Sequence, residues 1–133
     1  MTYLLDTNVC VEYLNGRSRR VIEAFQRRTP ADIAVCSIVK AELYYGALRS
    51  NNPLDASVKV EAFLAPYRSL PFDDQCAVAY GRIRARLTQL GSLIGPNDLL
   101  IAAIAVVQGA ILVTHNVREF SRVEDLVYED WEV

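Results

Sequence analysis

Short apolar runs alternate with longer amphipathic segments along this chain. Three runs have the length and the apolar content of buried strands: Tyr3–Leu5, Ile33–Cys36 and Ile111–Val113. Weaker strand candidates lie at Ser69–Phe72 and Leu126–Glu129. Because successive positions in the runs are apolar, the pattern is typical of strands that are covered on both faces of a parallel sheet.

Segments with helical spacing separate these strands. The apolar positions predict helices over Val9–Leu14, Ser18–Arg28, Ser37–Leu48, Asp55–Leu64, Asp73–Leu90 and Asn97–Gln108. The fifth helix has an apolar stripe that includes Tyr80 and Leu90 and ends before Gly91, so we expect Tyr80 to lie in the core. Strands that alternate with helices of this length predict an α/β sandwich built on a parallel sheet.

The composition predicts one compact cytoplasmic unit. The 133 residues, of which 52% are apolar, contain no repeat and no linker rich in glycine and serine. The first residues, MTYLLDTN, lack the basic start of a signal peptide. The longest apolar stretch, Leu99–Val107, has about half the length that a membrane-spanning helix needs. We therefore expect no membrane association.

Cysteine and histidine content limits the metal chemistry. Cys10, Cys36 and Cys76 are widely spaced in apolar contexts, which is typical of reduced thiols in a core. With a single histidine, His115, and no C-x-x-C pair, the chain lacks the usual ligands of a zinc site. If the protein binds a metal ion, carboxylates must hold it.

Two aspartates stand where a polar side chain is unexpected. Asp6 directly follows the first strand, at the strand end where open α/β sheets place their functional sites. Asp98 lies in the first turn of a helix that continues as nine apolar residues, with Asn97 as the predicted N-cap. Each has a structural alternative, because Asp6 could cap a helix and Asp98 could stabilise a helix dipole.

A third acid, Glu42, falls in the second turn of the segment SIVKAELYYG, where Ser37 is the predicted N-cap. Apolar neighbours would bury much of this helix, and a carboxylate among them needs a partner. An ion pair with Lys40 or Arg49 is the structural alternative to a functional role.

Convergence of the three carboxylates would require a cation. Two carboxylates about 4 Å apart repel each other by about 4 kcal/mol at an effective dielectric constant of about 20, and a third carboxylate adds to this cost. A set of oxygen ligands without soft donors favours Mg²⁺ or Mn²⁺ over zinc or copper.

Arginine supplies most of the positive charge. The net charge is −2, but residues 1–118 carry 13 basic and 10 acidic side chains, whereas residues 119–133 carry one arginine and six acids. Twelve of the 14 basic residues are arginine, the side chain suited to bidentate phosphate contacts. The arginine clusters are Arg17 with Arg19 and Arg20, Arg27 with Arg28, and Arg82 with Arg86. These clusters are either phosphate contacts or solvated helix faces.

Four segments resemble the motifs of a known nuclease family. YLLDTN (3–8), SIVKAELYYG (37–46), GPNDLLIAA (95–103) and VTHNVREF (113–120) are similar to the four motifs of PIN-domain nucleases. Within that family the resemblance is greatest to the VapC toxins of bacterial toxin-antitoxin pairs, and it extends in order along nearly the whole chain. It implies a PIN-like three-layer sandwich, with about five parallel strands between helices, and a single nuclease domain over residues 1–133.

The resemblance implies catalytic roles for several polar residues. Asp6, Glu42 and Asp98 match the metal-binding acids of the family, and Asn116 stands where many PIN domains carry a further aspartate. Asn116 can hold a water or a phosphate oxygen but cannot take a proton. Glu119, one helical turn further on, is a candidate for the missing charge. A further candidate, His115, would be a general acid or would point away from the site.

The implied activity is Mg²⁺- or Mn²⁺-dependent cleavage of RNA, with the arginine clusters positioning the RNA backbone. Thr7, Asn8 and Ser37 are expected to orient the acids. The implied partner is a VapB-like antitoxin that inhibits the enzyme. Spare apolar helix surface, including Tyr44 and Tyr45, predicts a homodimer within a toxin-antitoxin hetero-oligomer.

Two other functions remain open from the sequence. The segment LLDTN is similar to the strand-end D-x-D motif of phosphatases that use an aspartate nucleophile, although Asn8 replaces the second aspartate. The acids could also serve only as helix caps in a catalytically inactive interaction module. An RNA and a small phosphate monoester, each tested with and without Mg²⁺, distinguish the three functions.

Overall fold

In the computed structural model, which describes residues 1–133, five parallel strands form one sheet. The strands are β1 (Tyr3–Leu5), β2 (Ile33–Cys36), β3 (Arg68–Leu70), β4 (Ile111–Val113) and β5 (Val127–Glu129). Their order in the sheet is β3-β2-β1-β4-β5, so β1 is central and pairs with both β2 and β4. The chain thus reverses its winding direction between β1 and β4, which is where open α/β sheets leave a crevice.

Seven helices flank the sheet and complete the predicted three-layer sandwich. They are α1 (Thr7–Asn15), α2 (Arg19–Gln26), α3 (Ser37–Leu48), α4 (Pro53–Leu64), α5 (Asp74–Gln89), α6 (Pro96–Gln108) and α7 (Val117–Phe120). The six predicted helices all exist, with ends that differ by one or two residues. The short helix α7 and a 3₁₀ turn at Pro30–Asp32 have too few residues to produce a helical pattern and were not predicted.

The structure corrects the predicted N-caps of two helices. Cys36, not Ser37, occupies the N-cap position of α3, and Ser37 is the first helical residue. Gly95, not Asn97, precedes the first residue of α6, because Pro96 already occupies the first turn. Proline is favoured there because its missing N–H would have no helical partner.

The core is continuous and contains 36 buried apolar residues. Helix α6 lies largely in this core, and its residues 101–105 are completely buried. The three cysteines are free and buried, as predicted, and Tyr80 packs against the core. The prediction that Leu90 belongs to the buried stripe of this helix is wrong, because Leu90 is 61% exposed at the end of α5.

Aromatic packing fixes the acidic C-terminal segment. The guanidinium carbon of Arg28 lies 4.5 Å from the ring centre of Trp131 and 4.6 Å from that of Tyr3. The Trp131 ring also meets Phe25 edge to face at 5.5 Å. Arg28 therefore belongs to a cation-π stack, a role that the sequence pattern did not predict.

Candidate active site

Asp6 is a nearly buried carboxylate at the carboxyl end of β1. Its side chain is 5% exposed, and both oxygens accept hydrogen bonds of 2.8 Å. The backbone N–H of Thr7 donates to Oδ1, and the hydroxyl of Thr114 donates to Oδ2. Asp6 also occupies the N-cap position of α1, but its carboxylate reaches only the first helical N–H. The two bonds fix the orientation of this carboxylate.

Thr7 connects Asp6 to Glu42. Its hydroxyl donates a 2.8 Å hydrogen bond to Oε1 of Glu42, while its backbone N–H holds Asp6. No ion pair forms between Glu42 and either Lys40 or Arg49, so the structural alternative for this acid is wrong. Helix α3 begins directly after β2, and this connection brings the second helical turn to the same sheet edge.

Asp98, Asn116 and Glu119 form the other side of the site. The side-chain amide of Asn116 donates to Oδ2 of Asp98 at 3.2 Å and to Oε2 of Glu119 at 2.9 Å. The two carboxylates therefore meet at the same amide group. The structure therefore brings Glu119 beside Asp98, as expected of the residue that supplies the missing charge.

The protonation states of the acids reflect burial and mutual repulsion. Burial raises the pKa of Asp98 to about 8, with further contributions from the Glu119 hydrogen bond and the charges of Asp6, Glu119 and Glu42. Burial also raises the pKa of Asp6, although the hydrogen bonds from Thr114 and Thr7 lower it in part. The hydrogen bond from Asp98 lowers the pKa of Glu119. Without a cation, one proton partly offsets the negative charge of the cluster.

None of the four acids Asp6, Glu42, Asp98 and Glu119 forms a salt bridge within 4.0 Å. An unpaired carboxylate cluster at a partly buried position is costly unless a cation joins it. The donors are all oxygens, which suits a hard divalent cation that keeps several water ligands. The donor set therefore fits Mg²⁺ or Mn²⁺ and not a soft metal.

Three predicted residues make no hydrogen bond to the four acids. The His115 ring points away from them, and its Nδ1 lies 2.9 Å from Oδ2 of Asp130 on the C-terminal segment. This contact raises the pKa of His115. The side chains of Asn8 and Ser37 are exposed and make no hydrogen bond to the four acids, whereas Thr7 makes one. The geometry thus supports the predicted role only for Thr7.

Thr114 is a site residue that sequence reasoning did not select. It is completely buried at the carboxyl end of β4, donates to Asp6 and accepts from the backbone N–H of Asn116. The available signal was its position, because a hydroxyl that directly follows a buried strand needs a hydrogen-bond partner. Thr114 holds two parts of the site in fixed relation, since it contacts both Asp6 and the Asn116 backbone.

Comparisons with known proteins identify the family of the chain. Residues 3–126 match the family model of the PIN domain. The ribonuclease VapC2 of Rickettsia felis is 38% identical over 133 residues, which cover 99% of both chains. The tRNA(fMet)-specific endonuclease VapC of Salmonella typhimurium is 36% identical, with 98% of both chains covered.

A solved structure has the same fold over the same length. A chain in the crystal structure of DNA-bound VapBC from Salmonella typhimurium superposes with a TM-score of 0.92. Its sequence is 36% identical, and the match covers 98% of both chains. A family model spanning nearly the whole chain, and relatives above one-third identity over nearly full length, establish the family. The chain belongs to the PIN domain family and, within it, to the VapC ribonucleases.

Proposed function

We propose that this protein is a metal-dependent endoribonuclease, and that Asp6, Glu42 and Asp98 bind its metal ion. Asn116 contributes to the same catalytic centre by holding a water or a phosphate oxygen. In this proposal residues 1–133 act as a single nuclease domain. The protein serves as the toxin of a toxin-antitoxin pair and acts in the cytoplasm.

The observation that carries the proposal is the convergence of four acids that form no salt bridge. Asp6 follows β1, Glu42 comes from α3, Asp98 from α6 and Glu119 from α7. Helix caps in an inactive module would have no reason to meet, because each would satisfy its own helix. The relatives named above are ribonucleases and an endonuclease, so no observation favours the phosphatase alternative.

When bound, Mg²⁺ or Mn²⁺ supplies Lewis-acid chemistry, which offsets the negative charge of the scissile phosphate and makes water more acidic. Asp6 and Asp98 would hold the ion, with Glu42 completing the ligand set directly or through water. Asp6 is well suited to this role because two hydrogen bonds fix its carboxylate before any ligand arrives.

Glu42 is proposed to orient the water that attacks phosphorus and to accept its proton. In this hydrolysis a P–O bond to water forms, the bond to the leaving ribose oxygen breaks, and the leaving oxygen gains a proton from solvent. The Thr7 hydroxyl holds one oxygen of Glu42 and leaves the other oxygen free for the water. Glu119 is proposed as the fourth acid, in place of the aspartate that Asn116 replaces.

The first prediction is that the purified protein cleaves RNA with Mg²⁺ or Mn²⁺ and that EDTA stops the reaction. The reason is that the acid cluster needs a cation to approach a phosphate anion. Gel analysis of total RNA and of tRNA(fMet), the substrate in the name of the Salmonella typhimurium relative, measures cleavage. Sequencing of the cleaved ends identifies the sites. Cleavage that persists unchanged in EDTA would contradict the proposed metal dependence.

The proposed partner is a VapB-like antitoxin, and the protein is predicted to form a homodimer within the complex. The solved relatives include VapBC complexes bound to DNA. Tyr44 is 40% exposed and Leu48 is 67% exposed, so helix α3 offers apolar surface for a protein contact. None of the helices is long and apolar enough to cross a membrane.

A second prediction concerns expression with and without the partner. Expression of this chain alone is expected to arrest growth and degrade RNA, because nothing blocks the acid site. Co-expression with the adjacent reading frame is expected to restore growth and to yield a complex in which RNA cleavage is inhibited. Normal growth and intact RNA after expression of the soluble protein alone would refute the toxin function.

A further inference from the structure

A groove of about 1000 Å³ runs from the acid site across helices α1, α3 and α4. Thr7 and Glu42 line one end of this groove, so it is continuous with the candidate active site. Seven of its 19 lining residues are hydrophobic, and the others include five asparagines. A predominantly polar groove that opens onto a phosphodiester-cleaving centre is suited to a polar chain such as RNA. We refer to it as the asparagine groove.

Four of the asparagine side chains have no partner within the protein. Asn8, Asn15, Asn51 and Asn97 are exposed and form no side-chain hydrogen bond, whereas Asn52 caps helix α4. Each free amide offers a donor and an acceptor, which is the combination that contacts the edges of unpaired bases. The groove therefore provides several free polar contacts of one chemical type along its length.

One aromatic face is exposed in the same groove. Tyr45 lies three residues after Glu42 on α3 and Arg49 lies four residues further, so all three share one side of the helix. The Tyr45 side chain is 67% exposed, and the guanidinium carbon of Arg49 is 5.5 Å from its ring centre. Arg49 has no carboxylate partner within 4.0 Å, so it is available to a phosphate.

We propose that Tyr45 stacks against an unpaired base of the RNA substrate while the asparagine groove holds the neighbouring nucleotides. This inference rests on the proposed ribonuclease function and names a residue that would bind its substrate. Stacking requires a base that is free of its own helix, and exposed aromatic rings with adjacent arginines are the usual platforms for such bases. Tyr45 is thus a substrate-binding residue, not a catalytic residue.

The test measures binding of a short single-stranded RNA that contains the fluorescent base 2-aminopurine. Fluorescence quenching reports stacking, and binding is measured in Mg²⁺ with Asp98→Asn in every protein to prevent cleavage. The full chain carrying Tyr45→Ala is expected to lose the quenching and to bind about 5- to 150-fold more weakly, as measured for base-aromatic contacts. Tyr45→Phe keeps the ring and is expected to behave like the wild type.

A matched control and an obstructing variant complete the experiment. Tyr44→Ala removes an adjacent exposed tyrosine that does not line the groove, and it is expected to leave RNA binding unchanged. Gly46→Leu is expected to weaken binding, because a Cβ at this helical position meets nothing within 4 Å and a longer side chain enters the groove. Leucine also favours a helix more than glycine, so the variant folds.

Cleavage and oligomeric state are measured on the same proteins. In Mg²⁺, Tyr45→Ala is expected to raise KM with little change in kcat, because stacking acts equally on bound substrate and transition state. Equal RNA binding by Tyr45→Ala and wild type would overturn the inference, as would a change confined to oligomeric state or antitoxin binding. If either result is found and the wild type still cleaves RNA, only the stacking inference fails. A wild type that neither binds nor cleaves RNA defeats the proposed function as well.

Discussion

Replacing Asp98 with Asn is expected to abolish RNA cleavage and to stabilise the metal-free protein. Asparagine keeps the shape of the side chain but removes a proposed metal ligand, so we expect activity to fall by at least about 100-fold. The same change removes one of four converging negative charges, which relieves repulsion of about 1–4 kcal/mol when all are ionised. Activity and stability should therefore change in opposite directions.

The stabilising effect of Asp98→Asn should depend on pH in a defined direction. Folding raises the pKa of Asp98 from 3.8 to about 8, so the folded protein retains a proton that the unfolded chain releases. This contribution is fully present below about pH 4 and is lost as pH rises through about 8. The melting temperature of the metal-free wild type should therefore fall further below that of the variant at pH 9 than at pH 6.

Saturating Mg²⁺ provides a second comparison for the same variant. A ligand that binds only the folded state raises its stability, by about 2.7 kcal/mol at 100 times Kd. Mg²⁺ should raise the melting temperature of the wild type and that of Asp98→Asn much less. If Asp98 only stabilises the helix dipole, the variant loses about 0.3–1 kcal/mol and stays fully active. A destabilised, active variant would remove Asp98 from the metal site.

Replacing Trp131 with Ala is expected to lower the free energy of unfolding by about 3 kcal/mol. The indole is 6% exposed and contacts Phe25, Tyr3 and the Arg28 guanidinium, so its removal leaves an internal cavity. For a chain of this size the melting temperature should fall by about 10 °C. Denaturant unfolding followed by circular dichroism measures the change.

A control at the adjacent end of the chain tests the cavity explanation. Val133 is 76% exposed, so Val133→Ala should leave the melting temperature unchanged. Arg28→Met keeps an aliphatic chain between the rings but loses the cation-π contacts, the hydrogen bond to the Ala24 carbonyl and the ion pair with Glu129. It should cost about 1–2 kcal/mol, less than the loss of the indole. If Trp131→Ala is as stable as Val133→Ala, the aromatic stack does not hold the C-terminal segment in place.

The C-terminal segment matters to the active site through the sheet. The backbone N–H of Thr114 donates to the carbonyl of Glu129 in β5, and the hydroxyl of Thr114 holds Asp6. Trp131 follows β5 directly and packs that strand against the rest of the molecule. Packing at the chain end therefore supports the hydrogen bond that orients a proposed metal ligand.

Local patterns in the sequence were sufficient to predict the fold class. A strand covered on both faces is apolar at successive positions, and a buried helix such as α6 is apolar all round. The apolar pattern therefore predicts which segments are buried. The positions of Asp6 and Asp98 were also predictable, because a charge beside such a segment has no local explanation. The sequence around Glu42 was compatible with either an ion pair or a functional role. The resemblance to the PIN-domain motifs favoured the functional role.

Only the tertiary structure decided which side chains meet. Glu119 and Asp98 share the Asn116 amide, and His115 pairs with Asp130. Arg28 stacks on Trp131, which lies 103 positions further along the chain. Such contacts depend on strand order and on the direction in which each side chain leaves its element. Periodicity reports only whether a residue is buried, and not which distant residue lies opposite it. For this reason the sequence indicated the acids and their chemistry, while Thr114 and the asparagine groove became visible only in three dimensions.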